Sequence, residues 1–410
     1  MNRRPAGPEA FRPPRMDHMT TIDHYVKEHE QARRAWAGTP AWLARLREDA
    51  LERFLSLGFP TTRDEEWRFT SVAPIAEGRF SMGAAGHVQV SGAADGVTVE
   101  SLASAVATRP DELEPYLTRL APVEGHAFTA LNTAFFADGV YIRVPAHVVL
   151  EAPIQVRFMS PAGTLDAMTH PRVLIVAGEQ SQASIVERYA GEGGGRYLTN
   201  AVTEVVLGDA AVVGHYKLQQ ESMGGFHVGS MHVRAQRSAS FASHSVSLGG
   251  SLVRNEIMAV LDGEGAHCTL NGLYLAGGQR LVDNHTTIDH AQPHCDSREV
   301  YKGILADRAR GVFNGKIIVR PDAQKTDAKQ TNRALLLSED AQINTKPQLE
   351  IFANDVKCTH GATVGQLDDE AVFYLRSRGL GEADARRLLI QAFVGDVLNL
   401  MPLAPVRAEI

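Results

Sequence analysis

Residues 249–278 read GGSLVRNEIMAVLDGEGAHCTLNGLYLAGG, and the spacing of their glycines decides the fold. Turn signals at Gly249-Gly250, Gly263 and Gly277-Gly278 recur about every 14 residues, with one short strand-like segment between each pair. The same texture begins at Val140-Tyr141-Ile142-Arg143-Val144 and continues through Ile154-Gln155-Val156-Arg157-Phe158 and Ala201-Val202-Thr203-Glu204-Val205-Val206. For over two hundred residues the helical period is absent. Near-even spacing of this kind predicts many short strands in a stacked array. A sandwich or barrel is limited in size, whereas a solenoid grows by adding coils that each bury a face on the next, so the length favours a solenoid. Periodicity alone leaves other all-β stacks open. Asn255, Asn271, Thr326, Gln330, Asn332 and Asn344 are expected to stack as internal hydrogen-bonding ladders, which accounts for much of the tempting polar chemistry.

Helical patterns flank this region. Thr39-Pro40 is expected to open a helix whose apolar residues Leu43, Leu46, Ala50, Leu51, Phe54 and Leu55 share a face, with Gly58 and Pro60 ending it. Further helices are predicted near 109–119 and 127–136, and a short strand within 87–100. After Leu380 the helical period returns. Ala383, Leu388, Leu389, Ala392, Phe393, Val397 and Leu400 lie on one side of it, and Pro402 stops it. The expected organisation is a disordered tail at 1–20, a mostly helical domain at 21–135, a β core at 136–372 and a helical domain at 373–410. The tail, with four arginines and four prolines in residues 1–19, also reads as sequence upstream of a start at Met16 or Met19. Glu9 and the absence of serine argue against an organellar transit peptide.

The chain has 410 residues and a formal net charge of -7, which argues against a general nucleic-acid binder. No apolar run approaches the roughly 18 residues that span a bilayer. Cys268, Cys295 and Cys358 are far apart and make no Cys-x-x-Cys spacing, so neither a disulfide framework nor a self-contained cluster site is expected. A reducing compartment, the cytoplasm, is the expectation.

Chemistry concentrates in Lys357-Cys358-Thr359-His360. In an extended chain Cys358 and His360 point to one face, because side chains alternate with period two, while Lys357 and Thr359 face the other way. The pair can therefore share one ion or cluster. Zinc or a cluster iron takes about four ligands, so the remaining ones must come from elsewhere in the chain or from a partner. A second run, His285, Asp289, His290, His294 and Cys295, matches no zinc spacing. Alternation places His285 and Asp289 on one face and His290 on the other, which reads as a ladder or turn. Gly191-Glu192-Gly193-Gly194-Gly195-Arg196 and Asn314-Gly315-Lys316-Ile317 both lack a phosphate-loop ending, and Asn314-Gly315 is read as a tight turn. No Gly-x-Ser-x-Gly elbow occurs, so a stand-alone hydrolase or transferase is not expected.

Several stretches together resemble the SufB/SufD family of iron-sulfur cluster assembly scaffolds. They are Asp296-Ser297-Arg298 with Tyr301-Lys302-Gly303, Ala323-Gln324-Lys325-Thr326-Asp327, Thr345-Lys346-Pro347-Gln348-Leu349-Glu350-Ile351, Asp355 to Thr363, and Phe373-Tyr374-Leu375-Arg376-Ser377-Arg378-Gly379. Thinner matches occur upstream at Phe128-Thr129-Ala130-Leu131-Asn132, Phe135-Phe136-Ala137-Asp138-Gly139 and Asp64-Glu65-Glu66-Trp67-Arg68. Within the family the resemblance is to the SufD side. The SufB-type cysteine and glutamate are replaced by Leu375 and, just after the family proline matched by Pro402, by Ala404. The SufD-type cysteine and histidine match Cys358 and His360. The resemblance implies a mainly β fold, a right-handed parallel β-helix flanked by N-terminal and C-terminal helical regions. It also implies a non-catalytic scaffold that pairs with a SufB-type homologue and docks a SufC-type ATPase through its C-terminal helical region. Leu389, Phe393, Val397 and Leu400 are the candidate contacts for the ATPase. Cys358 and His360 would contribute to a transient iron-sulfur cluster or iron site shared with the SufB-type partner. A reduced flavin serves some complexes of the family, but this sequence carries no flavin fingerprint. The alternative is a self-associating β-helix whose homodimer joins two Cys358-His360 pairs into a structural Cys2His2 zinc site.

Overall fold

Gly249, Gly250, Gly263, Gly277 and Gly278 lie between strands in a computed structural model, which describes residues 18–410 except 37, 84–86, 93–94, 161–165 and 192. Gly250 and Gly278 adopt φ of 78° and 66°, left-handed values that favour a residue without a Cβ. The strands Leu252–Leu261 and His267–Ala276 lie between these turns in different sheets, so each 14-residue interval is half a coil. In register, Ser240 lies beside His267, 27 residues on, and His267 beside Asp296, 29 residues on. Each coil thus gives one strand to each of two facing sheets. The coils run from Gly139–Val144 and Ile154–Ser160 to Gln342–Ile351 and Lys357–Gly365. The ladders between successive coils are parallel, and the fold is a mainly β, parallel β-solenoid of about eight turns with helices at both ends of the chain.

Alternation along each strand sends apolar side chains between the sheets. Ile185, Val205, Leu270 and Phe313 are fully buried there, each stabilising the fold by roughly 1.5–3 kcal/mol relative to exposure. Expected polar ladders also form inside. Lys217 Nζ donates to Asn255 Oδ1 at 2.8 Å, and Asn255 Nδ2 donates to Asn284 Oδ1 on the next coil at 3.1 Å. Asn332 Nδ2 donates to Thr345 Oγ1 at 2.9 Å. Thr326 departs from the ladder reading, because its hydroxyl closes a turn on the Ala323 carbonyl. Asn314-Gly315 corrects another expectation. It lies inside the strand Arg310–Val319 rather than in a turn, and Gly315 leaves room for the Gln330 amide, whose Nε2 a Cβ there would meet at 2.2 Å.

Helices cover the outer faces. Phe54, Phe128, Leu131 and Phe135 from the N-terminal region pack on Met168, Leu198, Phe226 and Leu252 of one sheet. Helices Ala41–Leu57 and Ala127–Phe135 form as expected, and the strand expected within 87–100 divides into His87–Ser91 and Thr98–Ser101. Thr39 does not cap its helix. Its hydroxyl donates to the Trp36 carbonyl, and Pro40 holds the cap position without a side-chain bond. A helix at His18–Ala35 begins within the stretch read as a tail, and residues 1–17 lie outside the described residues. On the opposite sheet, Val397, Met401 and Val406 pack on Val186, Tyr216, Leu218, Val246 and Leu273.

The two ends of the solenoid differ. At its start, antiparallel strands His87–Ser91 and Thr98–Ser101 close the edges of Ile154–Ser160 and Gly139–Val144. At its finish, Gln342–Ile351 and Lys357–Gly365 each pair on one side only among the described residues. These open edges present free backbone donors and acceptors.

Candidate functional site at the open end of the solenoid

Cys358 and His360 lie on Lys357–Gly365, the last strand of its sheet. Register fixes their direction: Cys358 lies beside Ala328 and His360 beside Gln330, both buried residues that point between the sheets. The expected common face is therefore the inward one, at the mouth of the solenoid. Cys358 is half-buried against Ile317, Val319, Ala323 and Ala328, while His360 is exposed because no further coil covers it. Lys357 and Thr359 face outward, as alternation requires.

Burial raises the Cys358 thiol above its ordinary pKa; the Ala328 backbone hydrogen bond pulls it down, and Asp327 adds to the rise. Lys357, on the opposite face, is not among the groups that shift it. The thiol is thus protonated at neutral pH, and binding a metal would release its proton. Among the described residues, no three His, Cys, Asp or Glu side chains gather to hold a metal ion. Two side chains alone are too few to complete a metal site.

The second run does not converge. His290 points inward and pairs with Ser297 Oγ at 2.9 Å, Asp289 pairs with Arg320 at 2.7 Å, and Cys295 Sγ donates to the Gly263 carbonyl at 3.3 Å. His294 sits in a turn at φ 60°. Cys268 is buried in the core, where desolvation raises its thiol pKa strongly. His285 belongs to a clasp with the N-terminal region. Its Nε2 lies 3.0 Å from Asp283 Oδ1 and its Nδ1 lies 3.3 Å from Glu66 Oε2. Burial lowers the His285 pKa and Arg254 opposes its charge, but the Asp283 and Glu66 carboxylates outweigh both and raise it. The Arg254 guanidinium stacks 3.9 Å from the Trp67 ring centroid and donates to the Glu66 carbonyl at 2.9 Å. Asp64-Glu65-Glu66-Trp67-Arg68 is thereby a docking element that holds the helical region to the solenoid.

The four candidates on the C-terminal helix, Glu382–Leu398, and just beyond it separate by burial. Val397 is fully buried on the solenoid, so it serves the chain's own packing and is corrected from a docking contact to a core residue. Leu389 and Phe393 are half-buried, and Leu400 is exposed. Ala383, Leu388 and Ala392 are exposed rather than packed. Phe373 and Tyr374 are also exposed large side chains here, and alternation gave no signal for them because they sit on the short helix Asp369–Ser377. Lys302 pins the long helix. Its buried ammonium donates to the Phe393 carbonyl and to Asp396 Oδ2, both at 2.7 Å, and lies 4.4 Å from the Phe393 ring centroid.

Sequence reading missed a buried charge cluster inside the early coils. Glu187, Lys217, Glu221, His215 and His227 are all buried, and desolvation, opposed by the two carboxylates, lowers the Lys217 pKa to about 8. It also missed Glu299, which lies deep beneath His360 in the same inward column. Burial raises its carboxyl pKa to about 7 against the pull of Thr286 and Gln330. Charged residues at alternating positions read as solvent-facing, and only register reveals these as internal.

With this geometry in view, comparison with known proteins gives a consistent answer. Residues 158–393 match the family model described as SUF system FeS cluster assembly, SufBD core domain, and residues 84–156 match the SufBD protein N-terminal region. The chain belongs to the SufBD family of iron-sulfur cluster assembly proteins. An iron-sulfur cluster assembly SufBD family protein of Synechocystis is 32% identical, over 96% of this chain and 95% of that protein. The iron-sulfur cluster assembly protein SufD of Escherichia coli is 30% identical, over 86% of this chain and 87% of its own length. SufD of Bacillus subtilis is 26% identical, over 90% and 93%. Relatives named SufD over most of the chain agree with the SufD-side resemblance, and they support a role within the SUF system. Leu375 lies within the helix Asp369–Ser377 and Ala404 opens the helix Ala404–Glu409. Among the described residues no helix is long and apolar enough to cross a membrane.

Proposed function

We propose that this chain is a non-catalytic scaffold subunit of a SUF complex, paired with a SufB-type homologue at the open end of its solenoid and docking a SufC-type ATPase through its C-terminal helical region. The observation that carries this reading is the position of Cys358 and His360 on the terminal, edge-open strand. A partner strand added there would satisfy free backbone groups and bring its own ligands over the mouth of the solenoid. Cys358 then supplies a soft thiolate and His360 a borderline nitrogen to iron or to a nascent cluster, which is cargo and needs the partner's ligands for completion. The exposed Leu388, Leu400, Phe373 and Tyr374 are available for the ATPase. ATP hydrolysis belongs to that partner, since this sequence has no phosphate loop. The complex would act in the cytoplasm.

Co-expression with SufB-type and SufC-type chains tests the reading. The expected result is a stable three-component complex that carries iron and sulfide. A chain that instead self-associates with stoichiometric zinc and ignores both partners would favour the homodimer with a Cys2His2 site.

A further inference from the structure

Three residues in register form an inward column that rises to the open end: Glu299 beside Gln330, and Gln330 beside His360. Glu299 and Gln330 are buried, and Gln330 Nε2 donates to Glu299 Oε2 at 2.7 Å. That bond orients the amide. Its Oε1 is buried and has no hydrogen-bond partner. A buried acceptor left unpaired costs on the order of 1–3 kcal/mol, so an orphan in a packed interior calls for a donor. Gly315 leaves room for this amide, since a Cβ there would come within 2.2 Å of its Nε2. Neighbouring strands lie about 4.8 Å apart, within reach of a glutamine amide and an imidazole in the same column.

We propose that Gln330, held by Glu299, is a positioning residue for His360: its Oε1, unpartnered in this structure, is the acceptor for one ring N–H when His360 turns inward to bind a ligand, which leaves the other ring nitrogen unprotonated toward the mouth of the solenoid. An imidazole binds iron through its unprotonated nitrogen, and the hydrogen bond on the other nitrogen selects the tautomer and fixes the ring. The consequence for cluster assembly rests on the reading of His360 as a ligand. The geometry of the column does not.

The test reads the tautomer directly. In the full chain labelled with 15N-histidine, long-range 1H–15N correlations report which ring nitrogen of His360 carries the proton, with His360→Ala assigning the signal. One tautomer should dominate in the wild type, and Gln330→Met should reduce that preference about fivefold, the bias of one ordinary hydrogen bond. Gly315→Ala, which displaces the amide without removing it, should weaken the preference in the same direction and serves if Gln330→Met folds poorly. Identical His360 tautomer populations in the wild type and a folded variant would overturn the proposal. Iron and acid-labile sulfide are then measured in the complex co-purified with SufB-type and SufC-type chains. Gln330→Met should lower both roughly tenfold at unchanged subunit stoichiometry. A shifted tautomer with undiminished cluster would uphold the positioning role and refute His360 as a ligand.

Discussion

Lys302→Met should loosen the C-terminal helix without unfolding the solenoid. The substitution keeps most of the buried aliphatic stem and removes only the ammonium, which is bound at 2.7 Å to the Phe393 carbonyl and to Asp396. A hydrogen bond from a charged donor contributes about 1.5–3 kcal/mol. The Asp396 side chain is 65% exposed, so the ion pair adds no more than about 1 kcal/mol after screening by water. The helix 382–398 should therefore lose about 2–4 kcal/mol of local stability, and its opening should become roughly 30- to 1000-fold more frequent. Hydrogen exchange followed by mass spectrometry measures this peptide by peptide. Amides of Glu382–Leu398 should exchange faster by that factor, while those of Leu281–His290 and Arg310–Val319 in the opposite sheet stay protected. Unchanged exchange in the helix would refute the clamp, and uniform acceleration across both sheets would show that Lys302 supports the solenoid instead.

Leu400→Asp together with Leu388→Asp should leave thermal stability unchanged and weaken SufC binding at least about 30-fold in a pull-down titration, whereas Val397→Asp should destabilise the fold because it buries an unpaired charge. Arg172→Met should cost about 3–5 kcal/mol, read as a lower denaturation midpoint, since Glu204 then stays buried and charged without the guanidinium that binds it at 2.6 Å. The clasp at His285 should be strongest between about pH 4.5 and 6.5. The raised His285 pKa contributes stability that is complete below the unfolded value and is lost as pH rises through the folded value, while the lowered Glu66 pKa contributes stability that is lost as pH falls through its folded value. Trp67 fluorescence in a background with Trp36 and Trp42 replaced by phenylalanine should report both transitions, and His285→Gln should abolish the alkaline one.

The solenoid was readable because its half-coil leaves a mark in the sequence: glycines at turn positions such as Gly250, Gly263 and Gly277 recur at the interval a strand and its turn occupy. The Cys358-His360 face was readable for the same reason, since alternation is a local property. What local patterns could not show were contacts between coils. Gly315 looks like half of a turn until Gln330, on the other sheet, is placed over it. Glu299, Lys217 and Glu187 look solvent-facing until register puts other side chains above and below them. Val397 and Leu400 fall on the same apolar side of the helical pattern, yet the sheet covers only the first. Glu66 reached its partner His285 only through the docking of a separate region, which no spacing encodes.

The central claim is that the open end of the solenoid presents Cys358 and His360 to a cluster completed by a partner. Iron and acid-labile sulfide measured in the complex co-expressed with SufB-type and SufC-type chains test it most directly, with the Cys358→Ala, His360→Ala double variant beside the wild type. The account predicts an intact complex whose cluster content falls to background in the double variant; full cluster content at unchanged stoichiometry would contradict it.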